Sequence, residues 1–378
     1  MAADAVVDPD APESGVWKWV KIGFFVVVAV GLIAIGTSTA GANGGLKLAN
    51  ALIAIVGGVL GAMVLFWLLN KLVEMLPPKW EERLKPYVFI GPAIAAIAVF
   101  LVFPAVQTVQ GSFYNADLSK PVGFQNYVNL FTKDPDFKST LVNTLLWTLI
   151  VPTVTVILGL LVATLTDKLS PVSEKYAKMF IFLPMAISLV GSAGIWFLVY
   201  DASSGNIDPQ TGQVNRIGLL NAILGLFGKD QVGWLQTVDY KLNTLFIIIV
   251  FVWTQVGYAM VLLSAAIKGV PEDTIEAGRI DGAGERRIFF SIVVPQIMPT
   301  VVTVFVTVLI GAMKVGDLVF AFGADRYNAN VIGSKFITTL WTDSDLGKSS
   351  AIVVILLIAV IPILIYQVRT FRREEAMR

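Results

Sequence analysis

Eight stretches of this sequence are each about 20 residues long and nearly free of charge, the length a helix needs to cross the hydrocarbon core of a bilayer. They cover residues 22–42, 48–69, 87–109, 141–165, 179–200, 242–267, 300–320 and 351–368. Every backbone amide in lipid must find its partner within the chain, so a spanning segment is either a helix or part of a closed barrel. These runs are continuously apolar and lack the alternation of a barrel strand. The expectation is an all-α polytopic membrane protein with eight transmembrane helices.

Composition narrows the chemistry. Hydrophobic residues make up 56% and charged residues 15% of the 378, against roughly 25% charged in a soluble domain. Lysine and arginine number 28 against 27 acidic residues, which leaves no field suited to nucleic acid. There is no cysteine and no histidine, which removes disulfides, thiolate or imidazole metal sites and nucleophilic schemes built on those groups. No metal site and no catalytic residues are expected.

Orientation follows from lysine and arginine in the loops. With the N-terminus inside, the inward segments carry Lys18 and Lys21, then Lys71, Lys79, Arg83 and Lys85, then Lys168, Lys175 and Lys178, then Lys268, Arg279, Arg286 and Arg287, and finally Arg369, Arg372, Arg373 and Arg378. The outward loops are longer and poorer in basic residues, so both termini are placed in the cytoplasm. Residues 1–15 hold Asp4, Asp8, Asp10 and Glu13, the opposite of a basic secretory signal. The chain divides into a tail (1–21), a helix hairpin with its linker (22–86), a core (87–368) and a second tail (369–378).

Between the sixth and seventh runs lies a charged island, EDTIEAGRIDGAGERRIFFSIVVPQIMP, at 272–299. Pro271 suits the first turn of a short helix, with Glu272, Asp273 and Glu276 near its positive end. Gly278, Gly282 and Gly284 are poor helix formers and suit a helix-turn-helix that approaches another backbone closely. Residues 288–293 read as an apolar stretch lying in the interface before Pro295 and Pro299 admit the next span. A solvated loop with an interfacial helix has the same composition.

The order of the residues goes further. Glu276-Ala277-Gly278, Asp281-Gly282-Ala283, Phe289, Ile292 and Pro295 resemble the EAA loop of ABC importer permeases. Gly278 stands in place of its third small residue and Val294 in place of its Leu. Trp253, Gly257-Tyr258 and Met260 upstream, and Lys314-Val315-Gly316-Asp317 downstream, are similar to the carbohydrate, maltose-permease-like branch. Asn330-Val331-Ile332 and the run from Leu346 to Ile352 resemble its α-glucoside subgroup. The resemblance covers residues 87–373.

It implies a six-helix type I importer core preceded by an N-terminal helix hairpin, in a bacterial inner membrane. The loop at 268–299 would be a coupling helix that fits a groove on a cytoplasmic ATPase, through Glu276, Ala277, Gly278, Asp281, Gly282, Ala283 and Pro295. Implied partners are a second related permease, two cytoplasmic ABC ATPase subunits that bind ATP and Mg, and an extracytoplasmic sugar-binding protein. This chain has no phosphate-binding loop of its own, binds no cofactor and is not an enzyme. The resemblance also implies a substrate path through Gln255 and Tyr258 on one helix and Thr307, Gly311 and Lys314 on the next. Lys314 is the only basic residue inside a run, where a charge faces protein or water, and Asp317 follows on the same face. The other reading is a structural Lys314–Asp317 pair, or residues near the outer boundary that reach water. The expected function is ATP-driven import of an α-glucoside or disaccharide by alternating access. Alternatives are another polyol, a sugar phosphate, or ion-coupled secondary transport, for which Asp317 is the single acid within the spans.

Overall fold

The computed structural model describes residues 44–200, 203–207, 214–216 and 218–376. The run at 22–42 lies outside them. Contacts divide the chain into two units, Met1–Ala105 and Val106–Arg378.

In the first unit α1 (Gly44–Glu74) turns at 75–77 into α2, which spans Pro78–Gly111 with a π-helical turn at Ala98–Val102. Pro78 lies in the first turn of α2, where a missing N–H leaves no bond unmade. Phe66 and Phe89 stack with ring centres 6.3 Å apart.

In the second unit come α3 (Gln125–Thr132), α4 (Phe137–Thr166), α5 (Pro171–Phe182), α6 (Leu189–Tyr200), an antiparallel pair β1 (Ser203–Ile207) and β2 (Val214–Arg216), α7 (Leu219–Leu226) and α8 (Leu242–Lys268). There follow α9 (Glu272–Ile280), α10 (Glu285–Lys314), α11 (Asp317–Ala321), α12 (Ile332–Trp341) and α13 (Leu346–Ala376). Among the described residues six helices are long and apolar enough to cross a membrane, or seven if one bent pair counts as a span.

That pair corrects the straight span expected at 179–200. Pro171–Ala186 and Leu189–Tyr200 meet at 103°. Pro184 sits in a 3₁₀ turn and has no N–H to continue the helix, Ile187 is extended, and the Ser188 hydroxyl accepts the Gly191 N–H at 3.0 Å. The last contact caps α6 as a new helix.

A second correction concerns the expected span at 300–320. No separate interfacial stretch precedes it, because residues 285–314 form one helix. Pro295 would lose a hydrogen bond and strike the carbonyl one turn back, and the helix widens into a π turn at Phe289–Val293 immediately before it. The helix stops at Lys314 because Val315 is extended and the backbones of Val315 and Gly316 are pressed against Gly333. A Cβ on Gly333 would lie 2.4 Å from the Val315 carbonyl oxygen, and one on Gly316 would lie 2.8 Å from the Gly333 carbonyl carbon. Lys314 therefore ends a span instead of lying deep within it, and Asp317 opens α11. Each charge sits at the helix end whose dipole favours it.

The core forms where α4 and α8 cross. Gly159 lets them touch, since a Cβ there would stand 2.6 Å from that of Ala259. Trp147 meets Phe251 edge-on at 5.5 Å, with Val151, Ile247, Met260 and Leu263 buried around them. Nearer the start of α4 the Asn143 amide donates to the carbonyls of Asn328 (3.1 Å) and Asn330 (2.9 Å), and Thr144 accepts the Ile332 N–H at 3.0 Å. These bonds clamp the start of α12 against α4. Lys335 is only 7% exposed; Asp134 pairs with it at 3.5 Å and with Lys348 at 2.8 Å. Burial alone would raise the Asp134 carboxyl, but the Lys348 hydrogen bond and both lysine charges outweigh it and hold the group below its ordinary range. Asp134→Asn strands a buried ammonium and is expected to lower stability by about 3 kcal/mol, read as the thermal unfolding midpoint in detergent. Because the folded carboxyl titrates low, its contribution is complete above the ordinary value of 3.8 and is lost as pH falls through the lowered one. The gap between wild type and variant persists at neutral pH and closes only in acid.

Candidate functional site

The chain leaves α8 at Lys268 and regains helix at Glu272, with Pro271 as the cap residue just outside it. Glu272 and Asp273 occupy the first turn of α9, where negative charge is favoured. One side of α9 rests on the start of α10. Gly278 is buried there, and a Cβ on it would meet the Ile292 Cδ1 at 2.7 Å and the Ile288 Cγ1 at 3.5 Å. The N–H groups of Asp281, Gly282 and Ala283 donate to the carbonyls of Ala277, Arg279 and Gly278, each at 3.0 Å. Gly282 has φ +78°, a left-handed conformation that glycine adopts without penalty. The two glycines thus have separate causes, close packing at Gly278 and backbone shape at Gly282.

Gly278→Ala is expected to be nearly neutral: the methyl meets only the far end of Ile292, and alanine gains about 1 kcal/mol of helix propensity. Gly278→Val pushes α9 off α10 and is expected to lose about 2 kcal/mol by overpacking. Unfolding midpoints of the two variants check this.

Glu276, Ala277, Asp281 and Gly282 are exposed, and Ala283 is half-buried. Pro295 is exposed on α10, outside the hairpin itself. The sequence reading missed Ile280, which is 82% exposed. It lies two positions after Gly278, on the other side of the helix, so an inward Gly278 implies an outward Ile280. Arg279 donates to Glu285 at 3.0 Å, with both side chains exposed, a surface pair worth little. The result is a closed hairpin that exposes Glu276, Arg279 and Asp281 together with the apolar Ile280. Among the described residues no group of three or more acids, histidines or cysteines could hold a metal.

The other predicted residues lie on α8 and α10. As successive spans these helices run in opposite directions, and the Phe251 ring lies 3.8 Å from where a Gly311 Cβ would stand. Gln255 follows Phe251 by one turn and Thr307 precedes Gly311 by one turn, so the two stripes run alongside each other away from that contact. Thr307 is exposed and donates to the Thr303 carbonyl at 2.8 Å. Gln255 is half-buried and reaches the Thr254 hydroxyl at 3.4 Å, while Tyr258 packs against the core. Among the described residues no ion pair joins Lys314 to Asp317. Both are exposed and both line a cavity of about 480 Å³ with Ile332, Phe336 and Leu356.

The chain resembles known proteins over most of its length. The model of the binding-protein-dependent transport system inner membrane component matches residues 148–371, which include both regions. The alpha-glucoside transport system permease protein AglF of Rhizobium meliloti is 35% identical over 343 residues, 87% of this chain and 98% of that protein. The osmoprotective compounds uptake permease protein GgtC of Synechocystis is 39% identical over 290 residues, 77% of this chain and 100% of that protein. A solved bacterial ABC transporter that imports the acidic polysaccharide alginate has a chain of the same fold, with a TM-score of 0.64 at 21% identity, covering 77% of this chain and 98% of that one. The chain therefore belongs to the family of inner membrane components of binding-protein-dependent transport systems, the multi-span permease subunits of ABC importers.

Proposed function

We propose that this chain is one permease half of an ATP-driven importer for a neutral sugar of α-glucoside or disaccharide type, working by alternating access. A second related permease would complete the pathway, two cytoplasmic ATPase subunits would bind ATP and Mg and hydrolyse the ATP, and an extracytoplasmic binding protein would deliver the sugar. Both termini and the α9 hairpin face the cytoplasm in this reading, supported by the bias of lysine and arginine between loops.

The observation that carries the proposal is the hairpin. Its exposed rim, Glu276 to Gly282, is braced against α10 by Gly278 and leads directly from α8. A push on α9 is delivered to the two helices that carry the predicted substrate path. Amide, hydroxyl and aromatic groups at Gln255, Thr307 and Tyr258 suit a neutral sugar, and the name of AglF supports an α-glucoside.

Lys314 supports a second reading. It lines the 480 Å³ cavity together with Asp317, and among the described residues no ion pair joins the two, so the ammonium is left to offer a counter-charge to a sugar phosphate or other anionic cargo. Lys314→Met separates the two in proteoliposomes holding the whole transporter. For a neutral disaccharide, uptake is expected to fall by about tenfold at most, the loss of one hydrogen bond to a charged group. An anionic cargo would lose nearly all uptake. A variant with unchanged uptake of every cargo removes Lys314 from the path.

A further inference from the structure

Beside the coupling hairpin lies a charged knot that the hairpin does not use. Lys178 of α5 donates to Asp167, the residue that ends α4, at 2.7 Å and to Glu174 at 2.6 Å, and it also reaches the Ser264 hydroxyl of α8. Ser264 donates in turn to Asp167 at 2.7 Å. Lys268, in the last turn of α8, pairs with Glu174 and stands 3.8 Å from Asp167. The side chains of Asp167, Glu174 and Lys178 are 14%, 17% and 20% exposed. Two carboxylates and two ammonium groups balance; Lys268 is 53% exposed, whereas the pairs of Lys178 are enclosed and hold their geometry better than exposed ones do.

The same two helices are fastened again farther along. A Cβ on Gly257 would stand 2.5 Å from the Ile181 carbonyl oxygen and 2.7 Å from the Phe182 Cα, so α5 lies against the α8 backbone. Past this second point the path breaks by 103°, and α6 beyond the bend packs on α11 and returns to α8, where the Tyr200 hydroxyl donates to the Phe246 carbonyl at 3.0 Å and Trp196 meets Trp253 at 5.7 Å.

We propose that Asp167, Glu174, Lys178 and Lys268 fasten α5 to α8 as one rigid body, so that displacement of the coupling hairpin is delivered to the bend at Ile187 and Ser188. They are positioning residues, acting through α8. The proposal rests on the reading of α9 as the coupling element. With a knot at one end of α5 and backbone contact at the other, α5 has no freedom to slide along α8, and the bend passes its displacement on to α6.

The test uses the complete transporter in proteoliposomes and measures sugar carried per ATP hydrolysed. Lys178→Met is expected to lower that ratio about tenfold, within the range of coupling free energies, while hydrolysis continues; Lys178→Arg keeps most of it. An unchanged ratio in Lys178→Met overturns the proposal. Should that variant fail to assemble, spin labels decide the matter, since the chain has no cysteine. Tyr176→Cys and Ala265→Cys, both at exposed positions, are labelled in a transporter whose other subunits lack cysteine. Their spacing is expected to be the same without nucleotide and with trapped ATP; a spacing that changes overturns the rigid body. Failure of the underlying coupling reading shows separately, as full transport by Gly282→Val.

Discussion

Gly282→Val is expected to cut ATP-driven uptake deeply and to weaken co-purification of the ATPase subunits with the permease, while the chain still inserts and folds. At φ +78° a β-branched side chain is strained by about 2 kcal/mol, and the strain falls on a bend of four residues held by the hydrogen bonds to Ala277, Gly278 and Arg279. The bend yields first, because nothing lies within 4 Å of the Gly282 Cβ position to hold it. The exposed rim then turns away from its partner, and uptake is expected to drop by about a hundredfold, near the upper end of allosteric coupling. Gly284→Ala is the control. That residue has an ordinary φ of −69° and open space around it, so its uptake should match wild type. Glu276→Lys reverses an exposed charge without touching the bend, and should weaken association more strongly at low salt than at high salt.

Gly257→Ala is the second large effect, and it falls on the fold. The added methyl would stand 2.5 Å from a backbone oxygen of Ile181 and 2.7 Å from the Phe182 Cα. Neither neighbour can rotate aside as a side chain can, so α5 must shift, at about 1–3 kcal/mol. The expected result is a lower unfolding midpoint in detergent and little assembled transporter. Gly311→Ala makes the contrast. Its nearest neighbour is the Phe251 ring edge at 3.8 Å, an ordinary contact, so stability should be unchanged. Any loss of uptake in Gly311→Ala then reports on the substrate path and not on folding.

The spans were legible because lipid leaves the backbone few choices, and apolar length is printed in the sequence. Breaks inside apolar runs were not. Pro184 and Ser188 divide 179–200 without lowering its hydropathy, and Gly316 meets Gly333 from a distant part of the chain, which moved Lys314 from the middle of a span to its end. The hairpin was legible in outline, since Pro271 marks its start and the glycines its turn, but Gly278 meets the side chains of Ile288 and Ile292 where a backbone was expected, and Gly284 stands in open space. Ile280 was missed because its exposure follows only once Gly278 is known to face inward. Nothing around Lys335 in the sequence marks it as buried, because its burial depends on Asp134, two hundred residues away. Tertiary contacts of that separation leave no local pattern.

The central claim is that energy enters through the face of α9 that carries Ala277 and Ile280. The most direct measurement places a photo-crosslinking amino acid at Ile280, 82% exposed, in the purified transporter, with a second at the exposed Phe290 of α10 as reference. A covalent adduct to the ATPase subunit is expected from position 280 and little from position 290, with the yield changing when ATP is trapped. Equal yields from both positions, or none from position 280 in a transporter that still carries sugar, would contradict it.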